Sequence, residues 1–306
     1  MKKLLKTFFG LMLSLLMVSC FQQKEYYVFT SFHEPATDGL RFLYSEDGIH
    51  WDSIPGTWLK PTIGKQKVLR DPSIVRTPDG MFRLVWTTSW KGDRGFGYAE
   101  SRDLKIWSEP RFVGVMADTS TVNVWAPELF YDPETRQAMV VWASCVPDAG
   151  FDVGEEEVHN NHRLYYVTTR DFERFSETRL LLDPGFSCID ATIFKRNQGE
   201  YVMVLKDNTR PERNLKVSFA KNPEGPWSAP SPSFTGFKTE GPTVVEADSG
   251  YVVYYDDYNN KRYGAAYTKD FIDFQDYSGV INVPAHHKHG TVFKAPASVV
   301  EGLLGE

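Results

Sequence analysis

The sequence predicts an all-β fold, a five-bladed β-propeller whose closing blade is shared between the two ends of the chain. Three observations carry that expectation: an aromatic excess, a strand-and-turn pattern that occurs five times, and a hairpin unit that occurs four times and is half-complete a fifth time. Of the 306 residues, 14% are Phe, Tyr or Trp, types that suit half-buried strands. Runs with helical spacing are scarce, which excludes an all-helical chain. With 42% hydrophobic residues, the chain has material for one large core or two small ones.

The first pattern is a strand, a short turn that often carries Asp, and an aromatic residue a few positions on. Its copies are Leu40 to Trp51, Phe96 to Trp107, Leu164 to Phe175, Leu215 to Trp227 and Tyr263 to Phe274. Their final aromatics lie 56, 68, 52 and 47 residues apart. A period of about 50 residues is that of one four-stranded propeller blade. Between the copies lie hairpin units, Asp71 to Ser89, Glu128 to Ser144, Asp190 to Asp207 and Glu240 to Asp257, turning on Pro-Asp-Gly, Asp-Pro-Glu, Asn-Gln-Gly and Asp-Ser-Gly. The fifth unit has a first strand, His289 to Phe293, and no second. Tyr26 to Phe32 supplies it from the other end of the chain, so one blade joins both termini and closes the ring.

Residues 1–19 stand apart as a signal peptide. Lys2, Lys3 and Lys6 precede an apolar run from Phe8 to Val18 that ends at Ser19-Cys20. The run is short for a bilayer span, and a small residue before Cys resembles the lipobox of bacterial lipoproteins, in which Cys20 is acylated. The alternative is ordinary cleavage that leaves Cys20 a stray thiol. The expected organisation is therefore signal peptide 1–19, tether 20–25 and propeller 26–306, exported and lipid-anchored to the outer membrane. Loss of the three lysines takes the net charge from −6 to −9. An acidic chain without a basic stripe argues against nucleic acid as a partner. Cys145 and Cys188 are too few for a disulfide scaffold and wrongly spaced for zinc, which leaves two buried thiols.

In a propeller the first strand of each blade lines the central channel. Reading one position blade by blade gives Asp71, Glu128, Asp190, Glu240 and His289, separated by 57, 62, 50 and 49 residues. Clustered buried carboxylates raise one another's pKa and cost stability, and such strain marks function more often than packing. Paired carboxylates across a pocket suit glycoside hydrolysis, one protonating the leaving oxygen and another activating water. Sugar rings stack on flat aromatic faces. Trp90 and Trp125, at strand ends, are the stacking candidates, whereas Trp86 and Trp142 sit mid-strand like core residues.

The runs DPSI at Asp71, WAPEL at Trp125 to Leu129, IDATIF at Ile189 to Phe194 and EGPTV at Glu240 to Val244 resemble, in order and spacing, the motifs of glycoside hydrolase family 43. The resemblance covers Tyr26 to Phe293. It implies an inverting mechanism with Asp71 as general base, Asp190 as pKa modulator and Glu240 as general acid, the base and acid about 6.5–9.5 Å apart. It also implies a polysaccharide or oligosaccharide substrate and no required cofactor. Many members have WAPD where this chain has WAPE, so Glu128 reads as a substrate-binding or supporting carboxylate. His289 fits the family's channel histidine, sometimes found near a calcium or sodium ion, and is the candidate metal ligand as well as a substrate contact. Arg262 resembles an active-site arginine, with an exposed turn arginine as the alternative. His286 and His287 look like a solvated loop.

The long Val146 to Asn161 loop suggests a pocket and exo-action on a terminal sugar. Flanking sequence favours α-L-arabinofuranosidase over β-xylosidase or exo-galactosidase. A non-catalytic glycan-binding lipoprotein is the reading from a different class. The related fructan-cleaving families share Arg-Asp-Pro at 70–72 but need an Asn-Asp-Pro nucleophile motif and a Glu-Cys acid motif, and neither occurs. Ser45 to Trp51 looks like a sialidase Asp box without the arginine constellation a sialidase needs.

Overall fold

The computed structural model describes residues 24–305, apart from Glu155, Gln198 and Asp248; the segment expected to be a signal peptide, and Cys20, lie outside the described residues. Five antiparallel sheets stand around one axis. The closing blade holds β1 (Glu25–Ser31), β2 (Arg41–Ser45) and β3 (Asp52–Ile54). Blade two holds β4 (Arg70–Arg76), β5 (Phe82–Thr87), β6 (Gly95–Ser101) and β7 (Arg111–Gly114), and blade three β8 (Trp125–Asp132), β9 (Gln137–Cys145), β10 (His162–Thr169) and β11 (Arg179–Leu182). Blade four holds β12 (Cys188–Asn197), β13 (Glu200–Asp207) and β14 (Asn214–Ala220), and blade five β15 (Thr239–Ala247), β16 (Gly250–Asp257), β17 (Arg262–Thr268) and β18 (Phe274–Asp276). The last strand, β19 (Val292–Pro296), pairs antiparallel with β1 as the innermost strand of the closing blade. The expected five-bladed ring with a closing blade built from both termini is the observed fold. β19 begins three residues beyond His289, and a short helix that the strand pattern did not announce, α1 (Ala297–Leu304), follows it.

The repeated turn has a definite construction. Ser45, Ser101, Thr169 and Thr268 each end the third strand of a blade, and the Asp two positions on (Asp47, Asp103, Asp171, Asp270) accepts two backbone N–H groups, at 2.8–3.0 Å. The residue after each Asp is left-handed: Gly48 (φ 72°), Leu104 (φ 60°), Phe172 (φ 58°) and Phe271 (φ 62°). Three of these are not glycine, yet Leu104, Phe172 and Phe271 are buried. Their burial holds a conformation that a large side chain otherwise avoids. Blade four departs from the pattern. Pro223, Pro226, Pro230 and Pro232 interrupt the segment where its outer strand would run, and proline has no N–H for a ladder. There Ser228, Ser231 and Thr235 accept from the N–H groups of Phe219, Val217 and Leu215 respectively through their hydroxyls, which stand in for ladder carbonyls.

The blades pack through apolar faces. Phe42, Leu84 and Trp86 form one core at the junction of the closing blade and blade two, and Val300 and Leu303 of α1 complete it. Trp142 packs with Phe96 and Val140 in a second core, so Trp86 and Trp142 are core residues. Cys145 and Cys188 are buried and free. Two aromatic residues lie flat over a glycine of the next strand: Trp86 pairs with Gly97 and Tyr255 with Gly264. A Cβ at Gly97 would lie 2.1 Å from Trp86 Cε2, and one at Gly264 2.3 Å from Tyr255 Cε2. Gly97→Ala is expected to destabilise the protein by about 1–3 kcal/mol through overpacking, whereas Gly114→Ala, whose Cβ meets nothing within 4 Å, should change stability little; paired thermal denaturation curves check the contrast.

Candidate active site

Each of the four inner strands β4, β8, β12 and β15 starts with a bulge. The register slips between Arg70 and Ser73, Trp125 and Glu128, Ile189 and Thr192, and Glu240 and Thr243. Within each bulge one residue is left-handed: Asp71 (φ 50°), Ala126 (φ 44°), Asp190 (φ 52°) and Gly241 (φ 59°). Such bulges re-aim a side chain, and strain of this kind collects at functional sites. Asp71 and Asp190 are therefore equivalent, and Ala126 and Gly241 hold the same place in blades three and five.

That registration corrects the expectation that Asp71, Glu128, Asp190, Glu240 and His289 occupy one equivalent position. Glu240 aligns with Arg70, Trp125 and Ile189, just before the left-handed residue. Glu128 aligns with Ser73, Thr192 and Thr243, deeper in the channel. Nevertheless Asp71, Asp190, Glu240 and His289 line one cavity of about 250 Å³, together with Trp90 and Trp125. Glu128 does not line it. It borders a separate cavity of about 700 Å³ formed by the later parts of the inner strands, where its carboxylate accepts from Thr192 (2.9 Å) and Thr291 (3.2 Å). Burial pushes Glu128 up to about 7 against those hydroxyls. Arg262 is also outside the cavity: it opens β17 with its side chain 62% exposed, 3.5 Å from Asp257. His287 is not solvated either; it is buried between Ser31 (2.6 Å from Nδ1) and Ser53 (3.2 Å from Nε2) and ties the closing loop to β1 and β3.

The carboxylates differ in environment. Asp71 accepts from Thr87 Oγ1 at 2.8 Å and faces His289 Nδ1 at 3.2 Å. Burial pushes Asp71 up, but the His289 hydrogen bond and charge, with Arg70 and Thr87, outweigh it and hold the carboxyl below its usual range. Asp190 accepts the Gly241 N–H at 3.1 Å. Burial raises it, the charges of Glu240 and Asp71 add to that, and His289 and Lys206 offset only part. Glu240 is bonded to Lys206 Nζ at 2.6 Å, and that ammonium overcomes burial and holds Glu240 low. Burial works against a charged His289, yet Asp190, Asp71 and Glu240 together raise it to about 9.

Around these groups lie residues the motifs did not single out. Arg70 stacks on Trp90 with its guanidinium 4.0 Å from the ring centre, and Trp90 remains 45% exposed at the rim. Trp125 donates from Nε1 to the Trp90 carbonyl at 2.9 Å and stacks on His162. Lys206, Asn208, Arg213 and Tyr258 complete the wall, and the Val146 to Asn161 loop contributes Asn160. Asn208 fixes that loop by donating to Asn160 Oδ1 at 3.2 Å. The only trace of Lys206 in the sequence is a cation closing the apolar Tyr201–Leu205 run.

Among the described residues no group of three or more His, Cys, Asp or Glu is placed to hold a metal ion, and His289, the candidate ligand, has its Nδ1 turned to Asp71 at 3.2 Å.

The family model described as "Probable glycosyl hydrolase domain" matches residues 23–298. Over 148 residues the chain is 26% identical to an alpha-L-arabinofuranosidase of Bifidobacterium longum subsp. longum, a stretch that is 42% of this chain and 14% of that protein. The chain thus spans a small part of that relative. Among solved structures, an endo-1,4-beta-xylanase of Bacteroides thetaiotaomicron is similar with a TM-score of 0.60 at 12% identity, covering 89% of this chain and 94% of that one. An endo-arabinase of the same organism gives 0.58 at 16% identity over 82% and 90% of the two chains. The alpha-L-arabinofuranosidase of Lactobacillus brevis gives 0.52 at 19% identity over 68% and 72%. At these identities the likeness shows the shared propeller fold.

His289 gives the site a pH signature. Its folded pKa of about 9 exceeds the ~6.5 of an unfolded histidine, so its stabilising contribution is complete below about pH 6.5 and is lost as pH rises through about 9. The melting-temperature advantage of wild type over His289→Gln should therefore shrink between pH 6 and 9.5; an advantage that stays constant or grows contradicts the pairing.

Proposed function

The chain belongs to the glycosyl hydrolases related to family 43, and we propose that it is an exo-acting, inverting glycosidase that removes terminal sugars from plant-type polysaccharide, with α-L-arabinofuranosides as the first substrate. The observation that carries this reading is the meeting of Asp71, Asp190 and Glu240, from three blades, in one small cavity. A cavity of this size favours a chain end over a polymer running through, and the short local match to an arabinofuranosidase supports the sugar.

Asp71 acts as base. Thr87 and His289 keep it ionised and oriented, so it accepts a proton from the attacking water while that oxygen bonds to the anomeric carbon. Glu240 acts as acid, giving its proton to the departing glycosidic oxygen as the C–O bond breaks. Asp190, fixed by the Gly241 N–H, modulates Glu240 by like charge. While it is bonded to Glu240, Lys206 opposes the acid, because its ammonium favours ionised Glu240. Turnover therefore requires Lys206 to turn toward a sugar hydroxyl, after which the charge of Asp190 favours protonated Glu240. The same Lys206–Glu240 pair is compatible with a propeller that binds glycans without cleaving them, the second reading.

Assays with aryl α-L-arabinofuranoside, β-D-xyloside and β-D-galactoside separate the two. Cleavage should fall by roughly 10²–10⁴-fold in Asp71→Asn and Glu240→Gln; unchanged turnover would sink the assignment, and binding without release favours the second reading. In Lys206→Met the basic limb of the kcat/KM profile should move to higher pH, since the acid then holds its proton more tightly, and Lys206→Arg should restore the wild-type limb. Export and anchoring through acylated Cys20 complete the proposal, supported by the leader in residues 1–19. Radiolabelled palmitate should enter the wild-type protein in a bacterial host and not Cys20→Ser; equal labelling refutes the anchor.

A further inference from the structure

Three of the four cations lining the cavity already have a carboxylate. Arg70 donates from Nη1 to both oxygens of Glu34 at 2.8 and 2.9 Å, Lys206 is paired with Glu240 at 2.6 Å, and His289 with Asp71 at 3.2 Å. Arg213 is the exception. Among the described residues it has no ion-pair partner, and its Nε is buried with no acceptor. Neighbouring cations of the same segment do not share this condition: Arg210 is paired with Glu157, and Lys216 with Asp207 at 2.9 Å.

The backbone holds Arg213 where it is. Its φ of 41° is left-handed, a conformation that costs a non-glycine residue about 1 kcal/mol or more. Its carbonyl accepts the N–H groups of Lys238 (2.8 Å) and Thr239 (3.1 Å), the two residues that lead into Glu240. Arg213 is thus locked to the strand that carries the proposed acid. A buried donor without an acceptor is uncommon and needs a partner.

We propose that Arg213 is a specificity-determining residue that binds a carboxylate on the glycan, so that the chain acts on or beside an acidic sugar such as a uronic acid unit. The proposal rests on the carbohydrate-binding reading above and narrows its substrate class. A wholly neutral sugar would cover the guanidinium and leave its charge uncompensated away from water, which is costly. A carboxylate cancels that charge and matches the planar fork of the guanidinium in a way that isolated hydroxyls do not. On a chain of net charge −6, a local cationic point is what draws an anionic group to one place.

Calorimetric titration of the full chain with D-glucuronate and D-galacturonate, each against its neutral counterpart D-glucose or D-galactose, tests this at low and high salt. Each uronate should bind at least about tenfold more tightly than its neutral partner, a difference of about 1.4 kcal/mol. The difference should shrink with salt, vanish in Arg213→Gln and survive in part in Arg213→Lys, with melting temperatures confirming that both variants fold. Equal affinity within each pair, no measurable binding of either uronate, or an Arg213→Gln variant that weakens neutral and acidic sugars alike, as expected for recognition of neighbouring hydroxyls, overturns the proposal. Failure to hydrolyse any aryl glycoside would overturn the glycosidase reading while leaving this binding difference intact, so the two fail separately.

Discussion

The pairing of β19 with β1 is the constraint on which the other features depend, because it turns five separate sheets into a ring. Tyr27 faces Lys294 and Phe29 faces Val292 across this seam, which joins residues roughly 270 positions apart. Closing so long a loop costs about 5 kcal/mol of chain entropy. Against that stand the ladder itself, the Thr30 and Thr291 backbone and hydroxyl bonds, and the burial of Val28, Phe29, Ala295, Val300 and Leu303. The seam also sets the chemistry. It delivers His289 on the approach to β19, against Asp71 of blade two and over Gly241 of blade five, where a Cβ would lie 2.5 Å from the His289 ring.

The polar contacts of the cavity cross blade boundaries in the same way. His289 of the closing segment meets Asp71 of blade two, Lys206 of blade four meets Glu240 of blade five, and Asp190 of blade four takes the Gly241 N–H of blade five. A buried carboxylate without such a partner would be expensive; interleaving opposite charges from adjacent blades makes the cluster tolerable and gives each carboxyl a different proton affinity. Asp71 is held ionised, Asp190 is raised and Glu240 is restrained by its lysine. One fold thereby separates three chemically identical groups into the roles proposed for them.

Much of this was legible in the sequence because it repeats. The period of the terminal aromatics fixes the blade number, and the half-complete fifth unit forecasts the seam. Position within the inner strand was less legible. A bulge with a left-handed residue shifts the phase of the strand, so alignment by the acidic residue misses that Glu128 lies two residues beyond the left-handed position and Glu240 one residue before it. Lys206 and Arg213 come from a second strand and its loop, which the repeat does not mark as facing the channel. Arg262 lies at a strand start directly after a turn, so of the two readings of it the exposed turn arginine holds. The apparent solvation of His287 failed because two serines from distant strands supply its ring with partners.

In the proposed mechanism Asp71 and Glu240 act on opposite sides of a sugar, with water between base and anomeric carbon. Proton NMR of the sugar first released from whichever aryl glycoside the protein cleaves tests that directly. With Asp71 as base, the new hemiacetal should appear with the anomeric configuration opposite to that of the substrate and only later equilibrate. Initial release with the substrate's own configuration would mean a covalent intermediate, and would contradict the assignment of Asp71 as a base.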